Sequence, residues 1–247
     1  MIKAVTVDFW NTIVIDSSNG AARRAYRDAA VSEVFERIGV PYDGERIKEA
    51  HSRVWSHFEE VWLGTQRTMT TSECLHYFWK VLGVAVPLDM HNKVVKAFQD
   101  SILEGLPSML DGAEKAIREL ASRYRLALIS DTAYSPGSSL REVLARHGLL
   151  ELFSALVFSD EVGASKPHPS MFRRALDTLG VEPADSVHIG DLEATDIKGA
   201  KDIGMHAVLL RVIPGAPETG STSADYTAET WADAVLAVKR LDSGRHD

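Results

Sequence analysis

Five short, almost continuously apolar runs, set far apart along the chain, constrain the fold more than any other feature of the sequence. They are Lys3–Asp8 (KAVTVD), Arg125–Ser130 (RLALIS), Ala155–Ser159 (ALVFS), Ser186–Gly190 (SVHIG) and His206–Arg211 (HAVLLR). Each is rich in β-branched residues and lacks the polar alternation of a strand with one wet face. Each therefore reads as a strand of a sheet covered on both sides. A helical pattern precedes each of the last four, over Gly112–Arg123, Gly137–His147, Pro169–Leu179 and Asp196–Ile203. Strand alternating with helix implies an α/β fold built on a doubly wound parallel sheet.

The interval between the first two runs exceeds a hundred residues, far too long for one crossover. It holds four amphipathic patterns, about Ala21–Ile38, Glu45–Leu63, Thr71–Leu82 and Leu88–Leu103. Turn signals part them at Gly39-Val-Pro41, Gly64-Thr, Gly83 with Val86-Pro87, and Gly105-Leu-Pro107. Four helices of this length bury their own core as a bundle. The expected organisation is a Rossmann-like core from residues 1–16 and 106–247, with a four-helix-bundle cap inserted over 17–105. A polar loop, Pro214–Ser223, precedes a last helix near Thr230–Leu241.

Composition narrows the classes of function. A formal charge of −8 argues against nucleic acid as a partner, which requires a basic face. It leaves room for a few arginines around a small anionic metabolite. The single cysteine, Cys74, excludes an intramolecular disulfide and reads as a buried thiol in a reducing compartment. The first strand begins within a few residues of Met1, which leaves no room for a signal peptide, and no run approaches the ~20 apolar residues of a membrane span. A cytoplasmic protein with no membrane partner is expected, as monomer or homodimer.

In open α/β sheets, reactive groups gather at the carboxyl ends of the strands. The first strand ends in Asp8-Phe-Trp-Asn-Thr12 and the second in Ser130-Asp131-Thr132. Ser165-Lys166-Pro167 follows the third, and the fourth ends in Gly190-Asp191 with Asp196 five residues on. Asp8 and Asp191 on adjacent strand tips would repel each other unless a cation lay between them. Hard carboxylate oxygens with few other ligands suit Mg²⁺, which also takes water and phosphate oxygens. Lys166 offsets the remaining negative charge, and Ser130 with nearby backbone N–H groups holds further substrate oxygens. Asn11, Thr12 and Thr132 are candidate substrate contacts beside them. Asp8, aimed at an electrophile, can form a covalent aspartyl intermediate, which outlines a phosphoryl-transfer site.

The ordered set Asp8/Thr12, Ser130, Ser165-Lys166-Pro167-x-Pro169 and Gly190-Asp191-x₄-Asp196 resembles the four motifs of the haloacid dehalogenase superfamily. The helical insertion between the first two motifs resembles its C1-cap subclass. The resemblance implies a strand order of 5-4-1-2-3 and Mg²⁺ as cofactor. It makes Asp8 the nucleophile and a metal ligand, Asp191 the second carboxylate ligand and Asp196 an outer-shell partner. Ser130 would bind the transferring group, and Lys166 would stabilise it and orient Asp8. Plainer readings stand beside two of these: Ser130 as a strand-end turn residue, and Asp196 as the N-cap of its helix.

One position departs from the pattern. Phosphatases of the superfamily carry a second Asp two residues after the nucleophile, where this chain has Trp10. The metal keeps its ligand there, a backbone carbonyl, but a general acid–base worth 10²–10⁴-fold is missing. Three accounts compete. The substrate has a good leaving group, or an acid comes from elsewhere, with Asp131 as candidate (its plainer reading is a cap on the turn before Gly137). The protein resembles the 2-haloacid dehalogenases, against which the intact Gly190-Asp191-x₄-Asp196 argues. Or it resembles phosphonoacetaldehyde hydrolases, with Lys48 or Lys80 as the cap lysine. A catalytically silent binding member is the alternative from another class.

Substrate selection is expected from the cap, where Arg23, Arg24, Gln66 and Arg67 are placed to meet an anion. The cap aromatics Trp55, Phe58, Trp62, Tyr77, Phe78 and Trp79 read first as bundle core, with an apolar substrate face or a dimer surface as the alternative. His51, His57 and His76, which lack a metal-ligand spacing, read as structural or surface residues.

Overall fold

The computed structural model describes residues 1–16, 20–213 and 221–244. In chain order the elements are β1 (Ala4–Val7), β2 (Val14–Ile15), α1 (Gly20–Ile38), α2 (Gly44–Thr65), α3 (Thr71–Leu82), α4 (Leu88–Glu104) and β3 (Ser108–Met109). There follow α5 (Ala113–Ala121), β4 (Arg125–Ser130), α6 (Gly137–Arg146), β5 (Ala155–Phe158), α7 (Ser159–Val162), α8 (Pro169–Leu179) and β6 (Ser186–Gly190). A π-helical turn at Glu193–Ile197 leads into α9 (Lys198–Asp202), and β7 (His206–Leu210), β8 (Tyr226–Ala228) and α10 (Trp231–Ser243) close the chain.

Six strands form one parallel sheet in the order β5-β4-β1-β6-β7-β8. The five expected strands thus lie in the expected order, and β8 adds a sixth beside β7. Side-chain alternation sends Val5, Val7, Leu126 and Leu128 to one face, against Ile117 of α5, Leu140 of α6 and Trp231 of α10. Ala4, Ala127 and Ile129 go to the other face, against Met171 and Phe172 of α8 and Ala200 of α9. Neither face is left to water, which is why the strands read as unbroken apolar runs.

Helices α1–α4 enclose a third apolar cluster of their own, including Val34, Phe35, Val54, Phe78, Trp79 and Phe98. Their ends follow from local chemistry. Asp43 caps α2, Thr70 and Glu73 form a reciprocal capping box on α3, and Gly83 at φ +66° ends α3 in the left-handed region. The chain leaves for these helices and returns from them through an antiparallel pair, Val14 opposite Met109 and Ile15 opposite Ser108.

Two local expectations change. The helix between β6 and β7 does not begin at Asp196; the π-helical turn places that residue inside a wider loop of backbone, with Leu192 N–H donating to its carboxylate at 3.0 Å. Of the expected polar loop at 214–223, residues 214–220 lie outside the described residues. No described helix is long and apolar enough to cross a membrane.

The C-terminal helix reaches the loop after β1. The indole N–H of the buried Trp231 donates to the Thr12 carbonyl at 2.8 Å. We expect Trp231→Phe to cost about 1–3 kcal/mol by leaving that buried acceptor without its donor. The readout is a lower urea midpoint at unchanged slope; an unchanged midpoint would mean the Thr12 carbonyl is satisfied some other way.

Candidate active site

The carboxyl ends of β1, β4 and β6 open onto a cavity of about 1170 Å³ that is roofed by the helices. At its floor lies Lys166, almost wholly buried, whose ammonium donates to Asp8 Oδ1, to Asp196 Oδ1 at 2.7 Å and to the Ile129 carbonyl at 3.2 Å. Its own burial favours the neutral amine, but Asp196, Asp8 and Asp131 outweigh that and hold it firmly protonated.

Asp196 has a full set of donors. Besides Lys166 and Leu192 N–H, His188 Nε2 donates to its Oδ1 at 3.1 Å. Burial would raise its pKa, yet Lys166 and His188 hold it below the usual carboxylate range. His188 sits opposite Thr6 in the β1–β6 register, and Nδ1 lies 2.8 Å from Thr6 Oγ1. With Nε2–H given to the carboxylate, Nδ1 accepts from the Thr6 hydroxyl. Gly190 is required by the same packing, since a Cβ there would stand 2.4 Å from Asp196 Cγ.

Asp8 and Asp191 are the carboxylates with capacity to spare. One oxygen each from Asp8, Asp191 and Asp196 lies within 4.8 Å of the others. Burial pushes the Asp8 carboxyl up against the pull of Lys166. Burial and then the charges of Asp8 and Asp196 push Asp191 up further, with the Asn11 side chain working against them. Two oxygen donors under this mutual repulsion fit a hard divalent cation, which would relieve it.

The remaining expected residues divide. Asn11, in the left-handed region at φ 55°, lines the cavity beside Asp191, and Thr132 lines it at the tip of β4. Ser130 is wholly buried, its hydroxyl donating to the Asp131 carbonyl at 3.1 Å, and is not on the cavity wall. Thr12 is likewise buried behind the loop, off the wall. Arg67 turns away to pair with Glu73 at 3.0 Å, because the Gln66–Thr68 turn is docked face-down on the core. There Ser165 N–H donates to the Gln66 carbonyl at 2.8 Å, and the Thr68 and Ser159 hydroxyls meet at 2.6 Å. Arg23 lines the cavity but is ion-paired with Asp16.

Asp131 was a candidate acid–base group, and its geometry favours a different task. One oxygen accepts from Lys166 N–H at 3.0 Å and the other from the indole N–H of Trp62 at 2.9 Å. Both bonds use it as an acceptor, joining helix α2 to the Lys166 loop. Nor does it cap the turn before Gly137, whose N–H donates to Asp160. Trp10, two residues after Asp8, borders the cavity and packs edge-on to Phe9 of the core at 5.2 Å.

For one helix face, sequence reasoning ranked bundle core above an apolar substrate face, and the lining of the cavity reverses that order. Residues 51, 55, 58 and 62 of α2 follow a helical stripe, and all four line the cavity. Trp55, Phe58 and Trp62 thus belong to the wall, although Phe58 also reaches the bundle core, where Phe78 and Trp79 are buried. His51 stacks on Phe78 at 4.5 Å, and burial with the charge of Arg27 pushes it down to about 4. Arg27, also on the wall, lies over the rings of Phe98 and Tyr134 at 5.5 and 5.4 Å. Cys74 is buried and its thiol pushed up to about 12, the behaviour of a packed rather than reactive sulfur. Lys48 lies at the cavity mouth with its side chain 80% exposed, and Lys80 is off the cavity.

A family model for haloacid dehalogenase-like hydrolases matches residues 2–204. The chain is 31% identical over 147 residues to haloacid dehalogenase-like hydrolase domain-containing protein 3 of Mus musculus. That match covers 59% of this chain and spans little more than half, 57%, of the mouse protein. It is 25% identical over 252 residues to the glyceraldehyde 3-phosphate phosphatase of Methanocaldococcus jannaschii, covering 98% of this chain and 99% of that protein. Among solved structures, the 2-haloacid dehalogenase of Pseudomonas syringae pv. Tomato DC3000 superposes with a TM-score of 0.71 at 21% identity. Coverage is 97% and 99% of the two chains, and at that identity the likeness is one of fold.

Burial, set against Lys166, pushes the Asp131 carboxyl up from 3.8 to about 6. Between those values the folded chain holds a proton that the unfolded chain has released. Its contribution to stability is therefore complete below about pH 4 and lost as pH rises through about 6. Asp131→Asn cannot titrate. The stability of wild type minus that of the variant should fall by about 1–3 kcal/mol from pH 4 to pH 7. Urea denaturation at several pH values measures it, and a pH-independent difference would contradict the assignment.

Proposed function

The chain belongs to the haloacid dehalogenase-like hydrolase family, and from that premise we propose that it is a Mg²⁺-dependent phosphatase acting through Asp8. The observation that carries the reading is the buried arrangement at the cavity floor. Lys166 holds one oxygen of Asp8, while Asp191 stands within carboxylate reach on the next strand.

Asp8 and Asp191 would hold the Mg²⁺, with the Trp10 carbonyl as a further ligand and Asp196 behind them. The bound metal would supply charge stabilisation to the phosphoryl oxygens. The free oxygen of Asp8 attacks phosphorus, and Lys166 fixes the direction of attack by holding the other. Lys166 also offsets charge on the transferring group, and water then cleaves the aspartyl-phosphate. Ser130 acts from behind the wall by bracing the Asp131 carbonyl, the Thr12 carbonyl is held there by Trp231, and Asn11 and Thr132 face the substrate. We assign the four helices, over about residues 17–105, the part of selecting it. The full-length resemblance to an archaeal protein named as a phosphatase supports the phosphate-ester reading.

Trp10 favours a second reading, carbon–halogen cleavage, in which a departing halide needs no proton. Asp191 weighs against it, because a haloacid gives that buried carboxylate nothing to bind. A cap-lysine Schiff base is disfavoured by the exposure of Lys48, since such amines are activated by desolvation.

The test is phosphate release from a panel of phosphorylated metabolites and acyl phosphates, with Mg²⁺ or with EDTA. Turnover should require Mg²⁺ and should fall at least about a thousandfold in Asp8→Asn. Release that survives either change would refute the mechanism, and halide release from 2-haloacids would move the second reading to first.

A further inference from the structure

We infer that the substrate is the phosphate monoester of a bulky, phenol-type aromatic alcohol. This rests on the phosphatase reading above and narrows it to a class. Two independent features of the molecule lead to the same chemistry, one from the wall of the cavity and one from its floor.

The wall is large and aromatic. A cavity of about 1170 Å³ is wider than a drug-sized ligand needs, roughly 300–1,000 Å³, and far more than a three-carbon phosphate would fill. Along α2, the rings of Trp55 and Phe58 lie 5.2 Å apart at only 14°, and Phe58 and Trp62 follow at 6.3 Å and 36°. The strip runs from the mouth inward to Asp131, where Trp62 is anchored. Trp10 borders the same space beside Asp8. Trp55 remains 48% exposed although it borders the cavity, so a large ring surface is left wet in the absence of something flat to cover it.

The floor lacks the aspartate that would give the leaving group its proton. An indole occupies that position two residues after the nucleophile, and Asp131, which accepts from Lys166 N–H and from the Trp62 indole, is a carboxylate above about pH 6. In the transfer, the Asp8 Oδ–P bond forms as the ester P–O bond breaks, and the bonding pair leaves on the ester oxygen. Without a built-in acid that oxygen departs as its anion and takes a proton from solvent. Water then adds to phosphorus, restores the Asp8 carboxylate and releases hydrogen phosphate and one proton, so the sum is ester plus water to alcohol plus phosphate. A phenol-type oxygen, titrating near ~10 as tyrosine does, departs far more readily than an aliphatic one, which lies nearer the ~15.7 of water. An acyl phosphate satisfies the floor but not the wall, and a long aliphatic phosphate the wall but not the floor.

A matched set of substrates separates these requirements: 1-naphthyl phosphate, 1-naphthylmethyl phosphate and acetyl phosphate, each with Mg²⁺. The first two share an aromatic body and differ in the acidity of the departing oxygen. We expect kcat/KM for 1-naphthyl phosphate to exceed that for 1-naphthylmethyl phosphate by about 10²–10⁴, with similar KM values. We also expect Trp55→Ala to raise KM for 1-naphthyl phosphate at least about fivefold more than for acetyl phosphate. Equal turnover of the two naphthyl compounds would reveal a working general acid and overturn the inference while leaving the phosphatase intact. A Trp55→Ala effect equal on both substrates would overturn the aromatic wall as a binding surface. Phosphate release from none of the three, acetyl phosphate included, would bring down the phosphatase reading and the inference with it.

Discussion

A single buried ammonium organises this molecule. Taking the Lys166 charge out of water costs several kcal/mol, and the cost is offset only if anionic partners surround it in good geometry. Asp8 and Asp196 supply them, with the Ile129 carbonyl as a third acceptor. Much of the surrounding sequence follows from keeping those partners in place. Asp196 needs the π-helical turn to swing inward, Leu192 N–H for its second oxygen, His188 to join Lys166 on the first, and Thr6 to hold the imidazole. Gly190 must lack a Cβ to make room. Asp191 lies in the same field with the Asn11 side chain as its partner and without Lys166 or His188 bonded to it, and that contrast leaves it the capacity for the proposed ligand's role.

Helix α2 is where fold and candidate function meet. One side of it buries Val54 in the bundle core, and the adjacent face turns Trp55, Phe58 and Trp62 to the cavity. Its C-terminal turn is docked on the core through the Gln66 carbonyl and the Thr68 hydroxyl. The Trp62–Asp131 bond then joins the aromatic wall to the backbone of Lys166 itself. The surface that would choose a substrate is therefore mechanically continuous with the group that would orient the nucleophile.

The sheet was legible because burial on both faces writes an unambiguous signal: Val5, Val7, Leu128 and Ile189 have no wet side to satisfy. The polar residues near strand tips were legible for the converse reason, since an apolar strand gives no reason of its own for Asp8 at its end or for Lys166 in the loop beyond α7. Four things were not. His188 lies within an apolar run and looks like any core residue until Thr6 and Asp196 are placed beside it. Trp55 and Trp62 share a helix with true core positions, and only the three-dimensional turn of α2 tells which face is which. Arg67 looked available because its partner, Glu73, belongs to the next helix. β8 is three residues long, too short for any periodicity, and exists because it completes the sheet beside β7.

The family match ends at residue 204, yet the chain's architecture does not. Beyond that point, β8 covers what would otherwise be the open edge of β7, and α10 carries the indole that secures the Thr12 carbonyl directly behind Asp8. The last stretch of chain is thus an integral brace and not an appendage. Two chains could agree throughout residues 2–204 and still differ in how firmly the loop after Asp8 is held, because that firmness is supplied by α10, outside the matched residues.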